Sequence, residues 1–180
     1  MKKYFLALII SLSMLIIIFS GSCKTITSEE LKASIKIIDV ETKWVEKYYQ
    51  PWPPKLILVP SLSFRVKNIS DKPINYINFN ANFRFLNNVE NLGDNFLAAI
   101  QKEPILPGKI SDVIFMKSNY GVEGKSLASF QNNPQWKIAI VKLFAQSKGS
   151  QYAFLGEWEV SRKIDFKESE PVGMGEKKKK

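Results

Sequence analysis

Alternation at a period of two dominates the middle of this chain. Between residues 77 and 85, Ile77, Phe79, Ala81, Phe83 and Phe85 take turns with Asn78, Asn80, Asn82 and Arg84. An extended segment with that pattern buries one face and wets the other. Leu62, Phe64 and Val66 alternate in the same way upstream. The segment between the two runs, Asn68-Ile69-Ser70-Asp71-Lys72-Pro73, is rich in turn formers and short, which predicts an antiparallel return. Ile35, Ile37 and Val40 mark a first strand, and Leu106-Pro107-Gly108-Lys109 reads as a turn feeding a strand from Ile110 to Met116. Trp136 to Phe144 is apolar on both faces, as a central strand would be. Its predicted partner runs from Tyr152 to Val160, after the turn Ser147-Lys148-Gly149-Ser150. Helix is expected only over Asn95–Gln101 and Gly124–Phe130, two turns each. About seven strands joined by short polar turns predict an all-β fold, an antiparallel immunoglobulin-like β-sandwich.

The N-terminus follows a different pattern. Lys2 and Lys3 precede an uncharged run from Tyr4 to Phe19, then come Ser20, Gly21, Ser22 and Cys23. A basic start, an apolar middle and a small-residue junction form the layout of an export signal. The 16 uncharged residues would span about 24 Å as a helix, short of a hydrocarbon core of about 30 Å. That shortfall favours cleavage over the alternative, an uncleaved signal kept as an anchor. The chain therefore divides into a signal at 1–22, a polar tether at 23–30, a β-sandwich domain at 31–166 and a disordered basic tail at 167–180.

Composition narrows the chemistry. The 180 residues carry 26 Lys and Arg against 17 Asp and Glu, one Cys and no His, for a net charge of +9. A lone Cys excludes an internal disulfide and a Cys-built metal site within one chain. The absence of His excludes imidazole acid–base steps and His-ligated metals. No glycine-rich phosphate loop is present, and Asp71, Asp94 and Asp112 do not cluster, so no cofactor and no metal are expected. Nucleic acid is not an expected partner, because no aromatic and basic stripe lies along a strand.

Ser20-Gly21-Ser22-Cys23 resembles the lipobox of bacterial lipoproteins, with Ser20 standing where an aliphatic residue is usual. The resemblance implies cleavage before Cys23, a diacylglyceryl group on its sulfur and acylation of the new N-terminus. Several acyl chains make a lasting anchor, whereas one does not. Within the body, Val66-Lys67-Asn68-Ile69-Ser70-Asp71-Lys72-Pro73, Phe83-Arg84-Phe85 and Pro107-Gly108 are similar to the small FxLYD-like sandwich domains of exported bacterial proteins. That similarity covers about 55 residues, bears on architecture and carries over no catalytic or binding residue.

Two constellations are candidates for contact or chemistry. Trp44, Tyr48, Tyr49 and Trp52 lie close together with Pro51, Pro53 and Pro54. Rings on a stiff loop can stack on sugars or pack against a protein at little entropic cost; the competing reading is that they close one end of the sandwich. Glu157 and Glu159, two apart on a strand, would share a face about 7 Å from each other, a separation that can serve glycoside hydrolysis, although alternating charges on a wet face are also what solubility requires. Lys177–Lys180 reads as a solvated run that could meet an anionic surface. The expectation is a lipid-anchored protein of the cell envelope, on the extracytoplasmic side of a membrane. It would hold membrane lipid through Cys23 and bind an envelope protein or glycan without catalysis. The alternative is an envelope hydrolase acting on glycan or lipid through surface carboxylates.

Overall fold

A capped helix opens the described part of the chain, residues 26–87 and 91–168 of a computed structural model. Cys23, the apolar leader and Lys177–Lys180 lie outside the described residues. In α1 (Ser28–Ser34), the Glu30 amide donates to Thr27 Oγ1 at 3.2 Å and the Thr27 amide donates back to Glu30 Oε2 at 2.9 Å. This reciprocal box satisfies two amides that a helix start leaves free. Leu31 is buried and ties α1 to the core, so the polar stretch read as a tether is helical from Ser28 onward.

Nine strands follow among the described residues: β1 (Ile35–Gln50), β2 (Lys55–Asn68), β3 (Ile77–Phe85), β4 (Asn91–Ile100), β5 (Ile114–Lys117), β6 (Val122–Gly124), β7 (Ala139–Gln146), β8 (Ala153–Glu159) and β9 (Ile164–Asp165). One sheet has the order β5-β2-β1-β9, with β6 also on β2; the other has β4-β3-β7-β8. All pairs are antiparallel except β1 with β9. The fold is all-β, and the two sheets share one apolar core. Phe64 of β2 meets Phe79 of β3 edge-on inside it, with ring centroids 5.0 Å apart. The β1 spacing of Ile35, Ile37 and Val40, two and then three residues, marks a bulge at Asp39, whose φ is 54°.

Four expectations need correction. Nine strands replace about seven, since β6 and β9 are too short to show a period. The helix expected over Asn95–Gln101 is part of β4, which pairs with β3 from Ile77 with Ile100 to Arg84 with Asn91. Ladder bonds along β3 outweigh the helix propensity of Leu97-Ala98-Ala99. The second helix, α2, runs from Leu127 to Gln131, after β6. Finally, the turn after Val66 is no hairpin return, because β2 and β3 lie in different sheets.

Asn68 explains that crossing. Its side chain is buried, yet Nδ2 donates to the carbonyls of Lys72 and Ile105, both at 2.8 Å, and Oδ1 accepts from the Ser70 amide and hydroxyl at 2.9 and 2.8 Å. Its own backbone amide donates to Lys109 O at 2.9 Å and its carbonyl accepts from the Gly108 amide at 3.0 Å. Gly108 holds a φ of 73°, a conformation that favours glycine. The Asn-Ser-Pro turn and the Pro-Gly turn are therefore stitched together through one buried amide, and the chain is carried over the end of the core into the second sheet.

Candidate functional site

The four rings singled out in sequence do not form one patch. They belong to β1 and to the hairpin that follows it, and the register shift between Glu46 and Tyr48 separates Trp44 from the rest. Trp44 is 1 % exposed and stands edge-on to Trp136 at 6.0 Å, so it is a core residue. Tyr49 packs against Phe166 at 5.1 Å. Tyr48 is partly exposed and its hydroxyl donates to Gln50 Oε1. Trp52 is 84 % exposed at the turn. Only Tyr48 and Trp52 remain free to touch a partner. The stiff loop expected there is mostly strand, because the β1 ladder continues to Gln50 opposite Lys55.

Of the two carboxylates, Glu157 is held by its neighbours. Glu157 lies 3.2 Å from Lys142 Nζ and 3.8 Å from Arg84 Nη2. Glu159 follows on the same exposed face of β8, opposite Ile140. Among the described residues, no group of three or more carboxylates, Cys or His is arranged to hold a metal ion. The perturbed pair lies elsewhere. Lys43 Nζ sits 2.8 Å from Asp165 Oδ2 and pins β9 beside β1. This hydrogen bond, aided by the opposite charge, holds the Asp165 carboxyl below its ordinary range and raises the Lys43 ammonium.

An open groove of about 810 Å³ lies between the two free sheet edges, β4 and the segment leading into β5. Its formation follows from where the edges are tied. Asn95 Nδ2 donates to Lys117 O at 2.8 Å, Asn119 Nδ2 to Asp94 O at 2.6 Å and the Tyr120 amide to Leu92 O at 2.9 Å. Past Asn95 these ties end and the edges splay, until the Ile74–Ile105 bridge closes the far end. Leu97, Ile100 and Ile105 line the inside. Leu106, Ile110, Val113 and Phe115 line it too, each about half exposed. Lys102, Glu103, Lys109 and Asp112 stand among the lining residues, balanced in charge. No pattern within one strand announces this groove, because it is made by two edges far apart in sequence.

No protein-family model matches the chain, and no curated protein does. Two solved structures are similar in outline. One is a protein designated ApaA from Bordetella pertussis, 9 % identical, with a TM-score of 0.41 over 71 % of this chain and 93 % of that one. The other is the structural-genomics target SoR45, 11 % identical, with a TM-score of 0.43 over 79 % and 99 %.

Proposed function

We propose that this chain is a bacterial envelope lipoprotein, exported by its apolar leader and anchored through acyl chains on Cys23. In this reading its body is an immunoglobulin-like β-sandwich, akin to FxLYD-like domains, displayed outside the cytoplasmic membrane. It serves as a non-catalytic binding or assembly module for an envelope protein or glycan. The observation that carries the binding role is the groove between β4 and β5, where Leu106, Ile110, Val113 and Phe115 stay about half in water. Large apolar groups clustered on one surface mark interaction sites.

The lone sulfur after three small residues supports the anchor. Growth with a tagged fatty acid tests it: the wild-type chain becomes labelled and the Cys23→Ala chain does not. An unlabelled wild-type chain refutes the lipoprotein reading. Glu157, neutralised between Lys142 and Arg84, fits a solvated ion pair on a wet face. Replacing Glu157 and Glu159 together by Gln accordingly leaves cell-wall glycan turnover in extracts unchanged.

A further inference from the structure

The face of the second sheet turned away from the core holds a line of rings broken by an amide. Register places Phe96 of β4 beside Asn80 of β3, Asn80 beside Phe144 of β7, and Phe144 beside Phe154 of β8. At about 4.8 Å per strand, the row Phe96–Asn80–Phe144–Phe154 crosses about 14 Å of sheet. Phe79, Ala81 and Phe83 of β3 point into the core, so by alternation Asn78, Asn80 and Asn82 point outward. Gln146 lies opposite Asn78, and both of these amides are engaged within the chain: Asn78 Nδ2 donates to the Tyr76 hydroxyl at 2.9 Å and Gln146 Nε2 to Ser150 O at 2.6 Å.

Packing accounts for part of this row. Phe144 and Phe154 lean on each other with ring centroids 5.5 Å apart, a cross-strand pair of the kind that stabilises sheets. It does not account for Phe96, which is 65 % exposed and whose neighbour across the ladder is an amide. Asn80 makes no side-chain hydrogen bond among the described residues, so an unengaged amide stands between two rings. The nearby charges are occupied: Glu157 with Lys142 and Arg84, and Asp94 accepting from Asn82 Nδ2 at 2.5 Å. In a chain of net charge +9, this face offers no free basic cluster to a polyanion.

We propose that this face binds an uncharged polysaccharide strand, rings stacking on the C–H faces of successive sugars while Asn80 meets their hydroxyl and amide groups. The rings give contact area at low entropic cost, and the Asn80 amide supplies both a donor and an acceptor. The proposal rests on the envelope reading and names the partner's class on a face separate from the groove.

The test is co-sedimentation of the detergent-solubilised full chain with two insoluble probes, chitin and peptidoglycan sacculi. Chitin carries an acetylated aminosugar backbone without stem peptides. Wild-type protein is expected to pellet with both, Phe96→Ala and Phe154→Ala each to weaken retention about five-fold, and the double variant to abolish it. All three variants should keep the wild-type unfolding temperature within a few degrees, since they remove exposed or half-exposed rings. Failure of the wild-type chain to pellet with chitin overturns the proposal, as does a double variant that pellets as well as wild type. A wild-type dimer in sedimentation that Phe96→Ala dissolves also overturns it, because a second copy then covers the face. Tagged fatty acid on the same preparation keeps the two readings apart: labelled but unretained protein refutes only the glycan face, and retained but unlabelled protein refutes only the anchor.

Discussion

The two ends of β2 turn the chain by opposite means. At Asn68 the chain turns around a buried amide whose donors and acceptor all have partners. At Lys55 it arrives from the Pro51–Pro54 turn, where Trp52 lies almost wholly in water. The difference shows where sequence is constrained by structure. A buried polar hub tolerates little substitution, because a buried polar group left without a partner is costly. A proline-stiffened tip is held by its backbone, so its side chains can vary without disturbing the sheets.

The largest effect is expected at the buried end. Asn68→Ala takes the acceptor from the Ser70 amide and one of two donors from the Ile105 and Lys72 carbonyls, which keep the Ile74 amide and the Ser70 hydroxyl, and should cost about 2–3 kcal/mol in urea unfolding. Asn68→Asp sharpens the point. Its carboxylate keeps the bonds from Ser70 but faces two carbonyls it cannot donate to. Burial and that repulsion raise its folded-state pKa above the unfolded value, so stability should recover as pH falls and the group protonates. A variant of either kind that unfolds like wild type would remove the hub from the account of the sheet crossing.

The other half of β2 has its own constraint, which lies away from the tip. Gly121, just before β6, sits so close to β2 that an added Cβ would fall 1.9 Å from Leu58 O and 2.8 Å from Val59 Cγ1. Gly121→Ala must push backbone against backbone and should cost about 2 kcal/mol, with β6 displaced from Leu56–Leu58. Amide exchange at β6 would rise well before global unfolding. Equal exchange in both proteins would mean the close approach is not a constraint.

Much of this organisation could be read from sequence where burial alternates residue by residue. The β3 pattern declares its inner face in full, and β7 reads correctly as a central strand, since it lies between β3 and β8. Asn68 to Pro73 reads correctly as a turn, but nothing local says that the chain crosses to another sheet there, because the deciding partners, Ile105 and Lys109, are over 30 residues away. Leu97-Ala98-Ala99 favours helix locally and becomes strand only through β3, which hid Phe96 and with it the ring row of the outer face. Trp44 and Trp52 look alike in sequence, but Trp44 lies within β1 against the core and Trp52 lies in the hairpin turn in water.

A smaller effect is expected where β9 meets β1. Asp165→Asn breaks the hydrogen bond to Lys43 that lowers the one pKa and raises the other. Asp165 stabilisation is complete above its unfolded pKa, about 3.9, and is lost as pH falls through the lower folded value; that of Lys43 is complete below about 10.4 and is lost as pH rises through the higher folded value. The gap in melting temperature between wild type and variant should therefore be small and flat from about pH 5 to 9, and close at both extremes. A gap that widens in acid would assign the destabilisation to something other than this pair.

The smallest effect belongs to the open end of β2. Trp52→Ala removes a ring that is 84 % exposed, while the Trp52 carbonyl keeps its bond from Gln50 Nε2 at 3.1 Å. Nothing in the core loses a neighbour, so stability should stay within about 0.5 kcal/mol of wild type. Because the substitution is silent in folding, it isolates what the ring does in binding. If Trp52→Ala lowers retention on chitin as much as Phe96→Ala does, the sugar-stacking surface extends to the hairpin tip. If it leaves retention unchanged, the sheet face accounts for the contact alone, and the exposed tryptophan contributes neither to the fold nor to that ligand. A loss of stability above about 1 kcal/mol would instead show that this tip, like Asn68, holds its strand through side-chain packing, and the contrast between the two ends of β2 would fail.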